Sequence, residues 1–203
     1  MKLYDTKVGP NPRRVRIFLA EKGIDVPKVE IDLAKMEQKM EQYSRLNPLQ
    51  RTPALVLDDG TVLTESVAIC RYFEEIQPDP PLFGEGALGR AQVEMWQRRA
   101  ELNFLLPTAM VYRHSHPGAA ELEKPQIAQV ADTNRPRVLE FLALLDKELA
   151  GREFLAGDRF TIADITALVA ADFMRPSRLK IPEGAANVLR WHASVSSRPS
   201  ARA

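Results

Sequence analysis

Residues 51–69, RTPALVLDDGTVLTESVAI, contain the pattern that decides the fold. Apolar runs over 54–58 and 61–63 flank Asp59-Gly60, and an Asp-Gly pair between apolar runs is the strongest short signal for a β-hairpin. Apolar residues at helical spacing then predict a helix over 65–76. The stretch therefore predicts two antiparallel strands followed at once by a helix.

The residues before this stretch predict a β-α-β unit. Residues 2–5 are a short strand candidate, and Pro12 with the residues up to Lys22 predicts a helix. Alternating apolar residues over 28–33 predict a second strand, and the two strands of such a unit are parallel. With a polar helix expected over 35–45, residues 1–77 are predicted to form an α/β domain of order β-α-β-α-β-β-α.

Beyond residue 77 the sequence predicts only helices. Three prolines within Gln77–Pro81 indicate a stiff linker, and we expect residues 78–86 to separate two domains. Residues 87–203 are then an all-α domain, whose helix over 161–174 is apolar enough to be buried by the others. The remaining helices are expected over 87–113, with a kink at Pro107, and over 127–149 and 185–196.

Composition narrows the classes of function. The chain has 203 residues, 45% of them hydrophobic, and a formal charge of +1, so neither nucleic acid nor an anionic membrane is an expected partner. The absence of a signal-like apolar run and the single cysteine, Cys70, predict a cytoplasmic protein without disulfides. His114 and His116 have poor spacing for metal ligation on a helix, so no metal is expected.

Several short motifs, in a fixed order, carry a resemblance to a known family. They are Arg51-Thr52-Pro53 opening the third strand, Glu65-Ser66-Val67-Ala68-Ile69 opening the third helix, Phe154-Leu155-Ala156-Gly157, Thr161-Ile162-Ala163-Asp164, Trp191 and Arg198-Pro199. Together with the predicted domain order, they make the chain similar to the cytosolic glutathione S-transferases over nearly its whole length. The resemblance implies a thioredoxin-like first domain that binds glutathione, followed by a helical domain.

The resemblance also implies which residues bind glutathione. Pro53 would follow a cis peptide bond, and Thr52 would exchange main-chain hydrogen bonds with the cysteinyl part of the tripeptide. Ser66, at a helix N-terminus that attracts anions, would bind the glutamyl α-carboxylate, while Glu65 would hold the α-ammonium. Arg13 and Arg51 complete the expected glutathione-binding set. From the residues alone, Ser66 could instead cap the helix and Glu65 complement its dipole.

The catalytic group is expected in the junction Val8–Val15, VGPNPRRV. A thiol with a pKa of about 8.5 needs a hydrogen-bond donor to become mostly thiolate at neutral pH. Most relatives are expected to place Tyr, Ser or Cys here, but the usual serine position falls on Gly9, and the pattern is similar to a nu-type branch that uses an asparagine amide. Asn11 is therefore the candidate catalyst, with the alternative that it only caps the helix.

Other residues near this junction allow two interpretations each. Arg13 and Arg14 are either solvated or add positive charge near the sulfur, and Tyr4 and Thr6 are reserve donors. Cys70 lies among apolar neighbours, as a buried structural cysteine would. Thr161 and Asp164 have capping-box spacing and are interpreted as structural.

The second substrate is expected to be a small hydrophobic electrophile. Phe104, Met110, Tyr112 and Arg113 could line its pocket, although such a stripe also fits plain core. The resemblance implies a homodimer in which Asn103 contacts the partner's glutathione. The predicted activity is a glutathione transferase with glutathione as co-substrate; the alternatives are a glutathione-dependent peroxidase or disulfide reductase, or a glutathione-binding protein without catalysis.

Overall fold

The computed structural model describes all residues from Met1 to Ala203, and they form two compact units. The first unit comprises Met1–Pro81 together with Arg202–Ala203, and the second comprises Leu82–Ala201. None of the helices has the length and low charge that a membrane span requires.

The first unit contains a four-stranded mixed sheet. Its strands are β1 (Lys2–Asp5), β2 (Lys28–Glu30), β3 (Ala54–Val56) and β4 (Val62–Thr64), in the order β2-β1-β3-β4. The pair β1/β2 is parallel, as the β-α-β pattern predicts, while β1/β3 and β3/β4 are antiparallel. The second strand is three residues long rather than the six predicted from 28–33.

The predicted hairpin is confirmed, but its loop is longer than the two-residue loop expected. The Leu57 N–H donates to the Thr61 carbonyl at 2.8 Å, and the Thr61 N–H donates to Asp59 Oδ1 at 2.9 Å. The Gly60 N–H also donates to the Leu57 carbonyl at 3.1 Å, so the Asp59 side chain adds to a turn that main-chain hydrogen bonds already close.

Three helices complete the first unit: α1 (Pro10–Lys22), α2 (Glu41–Leu46) and α3 (Ser66–Ile76). Helix α1 begins two residues earlier than predicted, because Pro10 as well as Pro12 fits the first turn. The single helix predicted over 35–45 is wrong. Met36 has a φ of 58°, which ends any right-handed helix, and a short 3₁₀ turn at Glu37–Lys39 precedes α2.

A buried lysine connects the end of α1 to the proline-rich segment. Lys22 Nζ lies 2.6 Å from a carboxylate oxygen of Glu74 on α3, and it donates to the carbonyl of Gln77 at 2.8 Å. It also donates to the carbonyls of Pro78 and Pro80. The segment that the prolines mark as stiff is therefore held to the first unit by one ammonium group.

The second unit is all-helical, as predicted. Its helices are α4 (Gly86–Ala100), α5 (Leu106–Ser115), α6 (Ala128–Leu149), α7 (Ile162–Phe173) and α8 (Ala186–Ser196). The long helix expected over 87–113 runs without a break through α4 and α5, but its residues Glu101–Leu105 form a π-helical turn, and Pro107, the expected kink position, follows this turn directly. Residues Ile162–Ala171 of α7 are buried, which confirms its central position.

Candidate functional site

The sheet register brings three chain junctions to one edge. Ala54 is the register partner of both Tyr4 on β1 and Thr64 on β4. Next to these paired residues, on the same side of the sheet, lie the end of β1 with the loop to α1, Pro53 before β3, and Glu65 after β4. The three segments expected to bind one tripeptide therefore lie side by side, although about 50 residues separate the first from the others.

The segment before β3 has the main-chain geometry that the resemblance implied. The Thr52–Pro53 peptide bond is cis. Behind it, the carbonyl of Arg51 accepts hydrogen bonds from the Tyr43 hydroxyl at 2.6 Å and from Asn47 Nδ2 at 2.7 Å. Burial raises the pKa of the Tyr43 phenol to about 12, so this hydroxyl stays a donor at neutral pH. The Arg51 side chain itself is exposed.

The segment before α3 combines a strained residue with open donors. Glu65 is exposed and has φ 64° and ψ 114°, a region that costs a non-glycine residue about 1–3 kcal/mol. The first helical hydrogen bond runs from the Ile69 N–H to the Glu65 carbonyl at 3.0 Å. The preceding N–H groups remain available to an anion. Ser66 lies at the first helical position and makes no capping bond, so the alternative that it only caps α3 is wrong.

The junction before α1 explains why no hydroxyl residue stands at position 9. Gly9 occupies the N-cap position with φ 95° and ψ 148°, which is essentially a glycine-only conformation. Asn11 is exposed at the second helical position. The alternative that Asn11 is the N-cap is therefore wrong. Because Pro10 and Pro12 have no N–H, few main-chain donors open this helix.

Arg14 joins the junction before α1 to the start of α3. Its Nη1 donates to Ser66 Oγ at 2.7 Å and, more weakly, to Asn11 Oδ1 at 3.3 Å. Only 1% of Arg14 is exposed, whereas Arg13 is half-buried. The interpretation of Arg14 as a solvated residue is thus wrong, and the structure brings Asn11 and Ser66 to the same guanidinium.

Cys70 lies on α3 near this arginine but is not a second thiol for catalysis. Its side chain is fully buried, and burial raises the pKa of the Cys70 thiol far above its usual range, although the charge of Arg14 opposes this. A protonated, inaccessible thiol is a poor nucleophile. The structural interpretation of Cys70 is confirmed.

The candidate residues of the helical unit have different surroundings. Phe104 is fully buried, and its ring centroid lies 5.8 Å from that of Phe141. It therefore belongs to the core, which was the alternative to a place in the substrate pocket. Tyr112 is half-buried between His116 and Phe173, at centroid distances of 4.7 and 5.0 Å. Met110 is half-buried, whereas Asn103 is exposed.

Arg113 is held within the helical unit. Its Nε lies 2.5 Å from Glu123 Oε2, and its Nη2 donates to the carbonyl of Leu122 at 3.1 Å. The guanidinium therefore braces the loop after α5. The chain has no group of three or more His, Cys, Asp or Glu side chains placed to hold a metal ion.

Two residues that support the site were not predicted. Tyr43 and Asn47 hold the Arg51 carbonyl, but the sequence pattern placed Tyr43 only within the helix expected over 35–45 and indicated no role for Asn47. Asn47 before proline is a weak signal for such a role, because Asx residues commonly order the main chain of a following turn. Tyr43 carries no signal, since its partner is a main-chain oxygen.

Comparisons with known proteins show which family both domains belong to. Residues 8–76 match the family described as glutathione S-transferase, N-terminal domain, and residues 103–199 match glutathione S-transferase, C-terminal domain. Glutathione S-transferase 2 of Saccharomyces cerevisiae is 35% identical over 205 residues, covering 100% of this chain and 88% of that protein.

Solved structures are similar over the same extent. The crystal structure of Gtt2 from Saccharomyces cerevisiae has a TM-score of 0.95 at 35% identity, covering 100% of this chain and 99% of that one. A glutathione S-transferase domain-containing protein from Marinobacter aquaeolei VT8 has a TM-score of 0.95 at 37% identity, covering 98% of this chain and 99% of that one.

The fold and these matches define the class of protein: the chain belongs to the glutathione S-transferase family. It is a glutathione transferase, with the thioredoxin-like N-terminal domain and the helical C-terminal domain of that family. Glutathione is the co-substrate that this family uses.

Proposed function

We propose that this glutathione transferase joins the glutathione sulfur to an electrophilic carbon of a small hydrophobic compound, with Asn11 activating the thiol. The observation that carries the proposal is the meeting of Asn11 and Ser66 at the Arg14 guanidinium. Asn11 lies at the start of α1 and Ser66 at the start of α3, and the strands before these two helices both pair with β3, which follows the cis peptide bond at Pro53.

The thiolate is the species that the site has to stabilise. Arg14 has only donors, so the Asn11 oxygen faces it and the Asn11 NH₂ group faces away, where it makes no hydrogen bond within the chain. A donor of this kind, aimed at the sulfur, favours the ionised form. Lowering the thiol pKa by about 2 corresponds to about 2.7 kcal/mol and leaves most of the glutathione ionised at neutral pH.

The rest of the tripeptide is assigned to the neighbouring segments. The Thr52 main chain pairs with the cysteinyl residue, and the Ser66 hydroxyl with the open N–H groups of α3 binds the glutamyl α-carboxylate. Glu65 holds the α-ammonium. Arg13 and Arg51 supply positive charge near the glycyl carboxylate and near the sulfur of glutathione.

In the reaction, the thiol proton leaves to solvent and the sulfur lone pair forms the bond to carbon. With an aryl halide, the carbon–halogen bond breaks and halide leaves, so no oxidant or reductant is needed. Met110 and Tyr112 are the half-buried residues that we assign to the hydrophobic substrate.

We also propose a cytoplasmic homodimer, in which Asn103 contacts the partner's glutathione. Asn103 lines an open groove of about 570 Å³ with Arg99, Leu102 and Leu144, and both leucines are exposed. Charged residues, among them Arg137 and Glu140, also line this groove, and exposed leucines surrounded by polar residues are suited to a subunit contact. The single buried Cys70 fits a reducing compartment.

The decisive experiment compares the wild-type enzyme with Asn11→Ala. The thiolate absorbance of bound glutathione in the ultraviolet should give a thiol pKa that is about 1 higher in the variant, and kcat/KM for an aryl chloride should fall about fivefold at pH 6.5. This loss should disappear near pH 9, where the thiol ionises without help. An unchanged thiol pKa would exclude Asn11 as the activator, and faster turnover of an organic hydroperoxide would favour the peroxidase alternative.

A further inference from the structure

We propose that Arg14 is a positioning residue of the glutathione site, because its buried guanidinium fixes the direction in which Asn11 and Ser66 present their hydrogen-bond donors. This inference rests on the proposed function, since it concerns the same site. In this proposal Arg14 contacts neither the thiol nor the glutamyl carboxylate of glutathione. It acts through Asn11 and Ser66, which contact them.

The chemistry of the guanidinium sets both orientations. An arginine side chain has five N–H donors and no acceptor. The Asn11 amide must therefore turn its oxygen toward Nη1, which leaves its NH₂ group on the opposite side. Ser66 Oγ accepts from the same Nη1 at 2.7 Å and makes no other hydrogen bond within the chain, so its proton is left for a ligand.

Without this arginine, neither orientation would be fixed. An asparagine amide can rotate by a half-turn and present its oxygen in place of its NH₂, and a serine hydroxyl rotates freely. An oxygen aimed at a thiolate would repel it, and a hydroxyl proton turned inward could not bind a carboxylate. Arg14 thus selects, among the orientations of two side chains, the ones that attract anions.

Burial supports a role beyond stability. Only 1% of Arg14 is exposed, and burial of a guanidinium carries a desolvation cost that an apolar side chain of similar size does not have. Helix packing alone therefore favours an apolar residue at this position on α1. The contact also joins residues 52 positions apart, so one group couples the thiol end and the carboxylate end of a single ligand.

The test uses Arg14→Met, which keeps a long unbranched side chain but has no donors. Two readouts separate the two ends of the ligand: the thiol pKa of bound glutathione, and the Kd of S-methylglutathione, which has no thiol. We expect Arg14→Met to raise the thiol pKa by about 1 and to weaken S-methylglutathione binding about tenfold. Arg14→Lys should preserve at most one of the two, since a single ammonium on a flexible stem does not hold both acceptors in place.

Double variants decide whether Arg14 acts through its two partners. In an Asn11→Ala background, Arg14→Met should leave the thiol pKa unchanged; in a Ser66→Ala background, it should cause no further loss of S-methylglutathione binding. Arg190→Met is the matched control, because Arg190 donates to two main-chain carbonyls of the helical unit, and it should alter neither readout.

Three results would overturn the inference. The first is an Arg14→Met enzyme with wild-type values of both readouts. The second is equal effects in the wild-type and both alanine backgrounds, which would show a direct effect of charge or folding. The third applies if Arg14→Met does not fold: it is an Arg14→Lys enzyme with wild-type values of both readouts. Failure of the wild-type protein to bind S-methylglutathione would instead contradict the proposed function.

Discussion

The indole nitrogen of Trp191 donates to Asp164 Oδ1 at 3.0 Å, across 27 residues of sequence. The same carboxylate accepts from the Leu155 N–H at 2.9 Å and from the Thr161 N–H at 3.0 Å. With Thr161 it forms the capping box at the start of α7, as the sequence spacing predicted. One buried carboxylate therefore links the start of α7, the segment before it and helix α8.

This carboxylate should make stability depend on pH. Burial raises the pKa of Asp164 from 3.8 to about 6, against the lowering effect of its hydrogen bonds. Between these two values the folded state holds a proton that the unfolded state has lost, so stability falls as pH rises. We expect the free energy of unfolding to decrease by about 3 kcal/mol from pH 4 to above pH 6 on account of this group, as measured by urea denaturation.

The Asp164→Asn variant provides the control for this effect. It has no ionisable group at this position and has lost an acceptor, so at pH 4 it should be less stable than the wild type by about 1–3 kcal/mol, and this difference should shrink or reverse above pH 6, where the wild type has lost the contribution of the protonated Asp164. Its free energy of unfolding should lack the decrease attributed to Asp164. If wild type and variant show the same slope between pH 4 and 6, Asp164 does not titrate in this range.

Lys22 should contribute strongly to the stability of the first unit. In Lys22→Met, three main-chain carbonyls lose their donor, and the Glu74 carboxylate loses the ammonium 2.6 Å away. Breaking a buried ion pair by removing one partner costs about 3–5 kcal/mol. Chemical denaturation should show this loss, and the double variant Lys22→Met/Glu74→Leu should recover part of it. A loss below about 1 kcal/mol would indicate a solvated pair.

Local patterns were enough to predict most of the fold. The Asp-Gly pair predicted the β3/β4 hairpin, and uninterrupted apolar content predicted the buried helix α7, because both signals act over a few neighbouring residues. The helix expected over 35–45 failed where Met36 adopts a left-handed conformation. The π-helical turn at Glu101–Leu105 was also missed, since no residue type specifies such a turn.

The candidate site was predictable only in part. Its three segments follow from the resemblance and from the order of the strands, and the cis bond before Pro53 is as that resemblance implied. The buried position of Arg14 depends on how α1 packs against α3, and two adjacent arginines look alike in the sequence. The positive φ of Glu65 could not be predicted from the sequence either, because glutamate has no intrinsic preference for a positive φ.

Gly9 should be required for its backbone conformation. A side chain at this position would meet no closer atom than Pro12 Cδ at 3.8 Å, so space is not the limit, but a φ of 95° strains any L-residue. Gly9→Ala should therefore lower the free energy of unfolding by about 1–3 kcal/mol. The matched control is Gly89→Ala inside α4, where nothing lies within 4 Å of the added carbon and a gain of about 0.5–1 kcal/mol is expected. Equal effects of the two substitutions on stability would contradict this account.

Ser66→Ala should weaken glutathione binding without slowing the chemical step. The proposed hydroxyl contact is made to the glutamyl carboxylate, far from the reacting sulfur, so it stabilises the ground state and the transition state equally. Loss of such a bond to a charged group corresponds to about 1.5–3 kcal/mol, which predicts a KM for glutathione raised about 10- to 150-fold with kcat nearly unchanged. Steady-state kinetics with glutathione as the varied substrate measures both constants. Ser66→Thr retains the hydroxyl and should restore most of the affinity. A fall in kcat with an unchanged KM would instead mean that Ser66 acts on the thiol, and the assignment of the carboxylate to the start of α3 would be wrong.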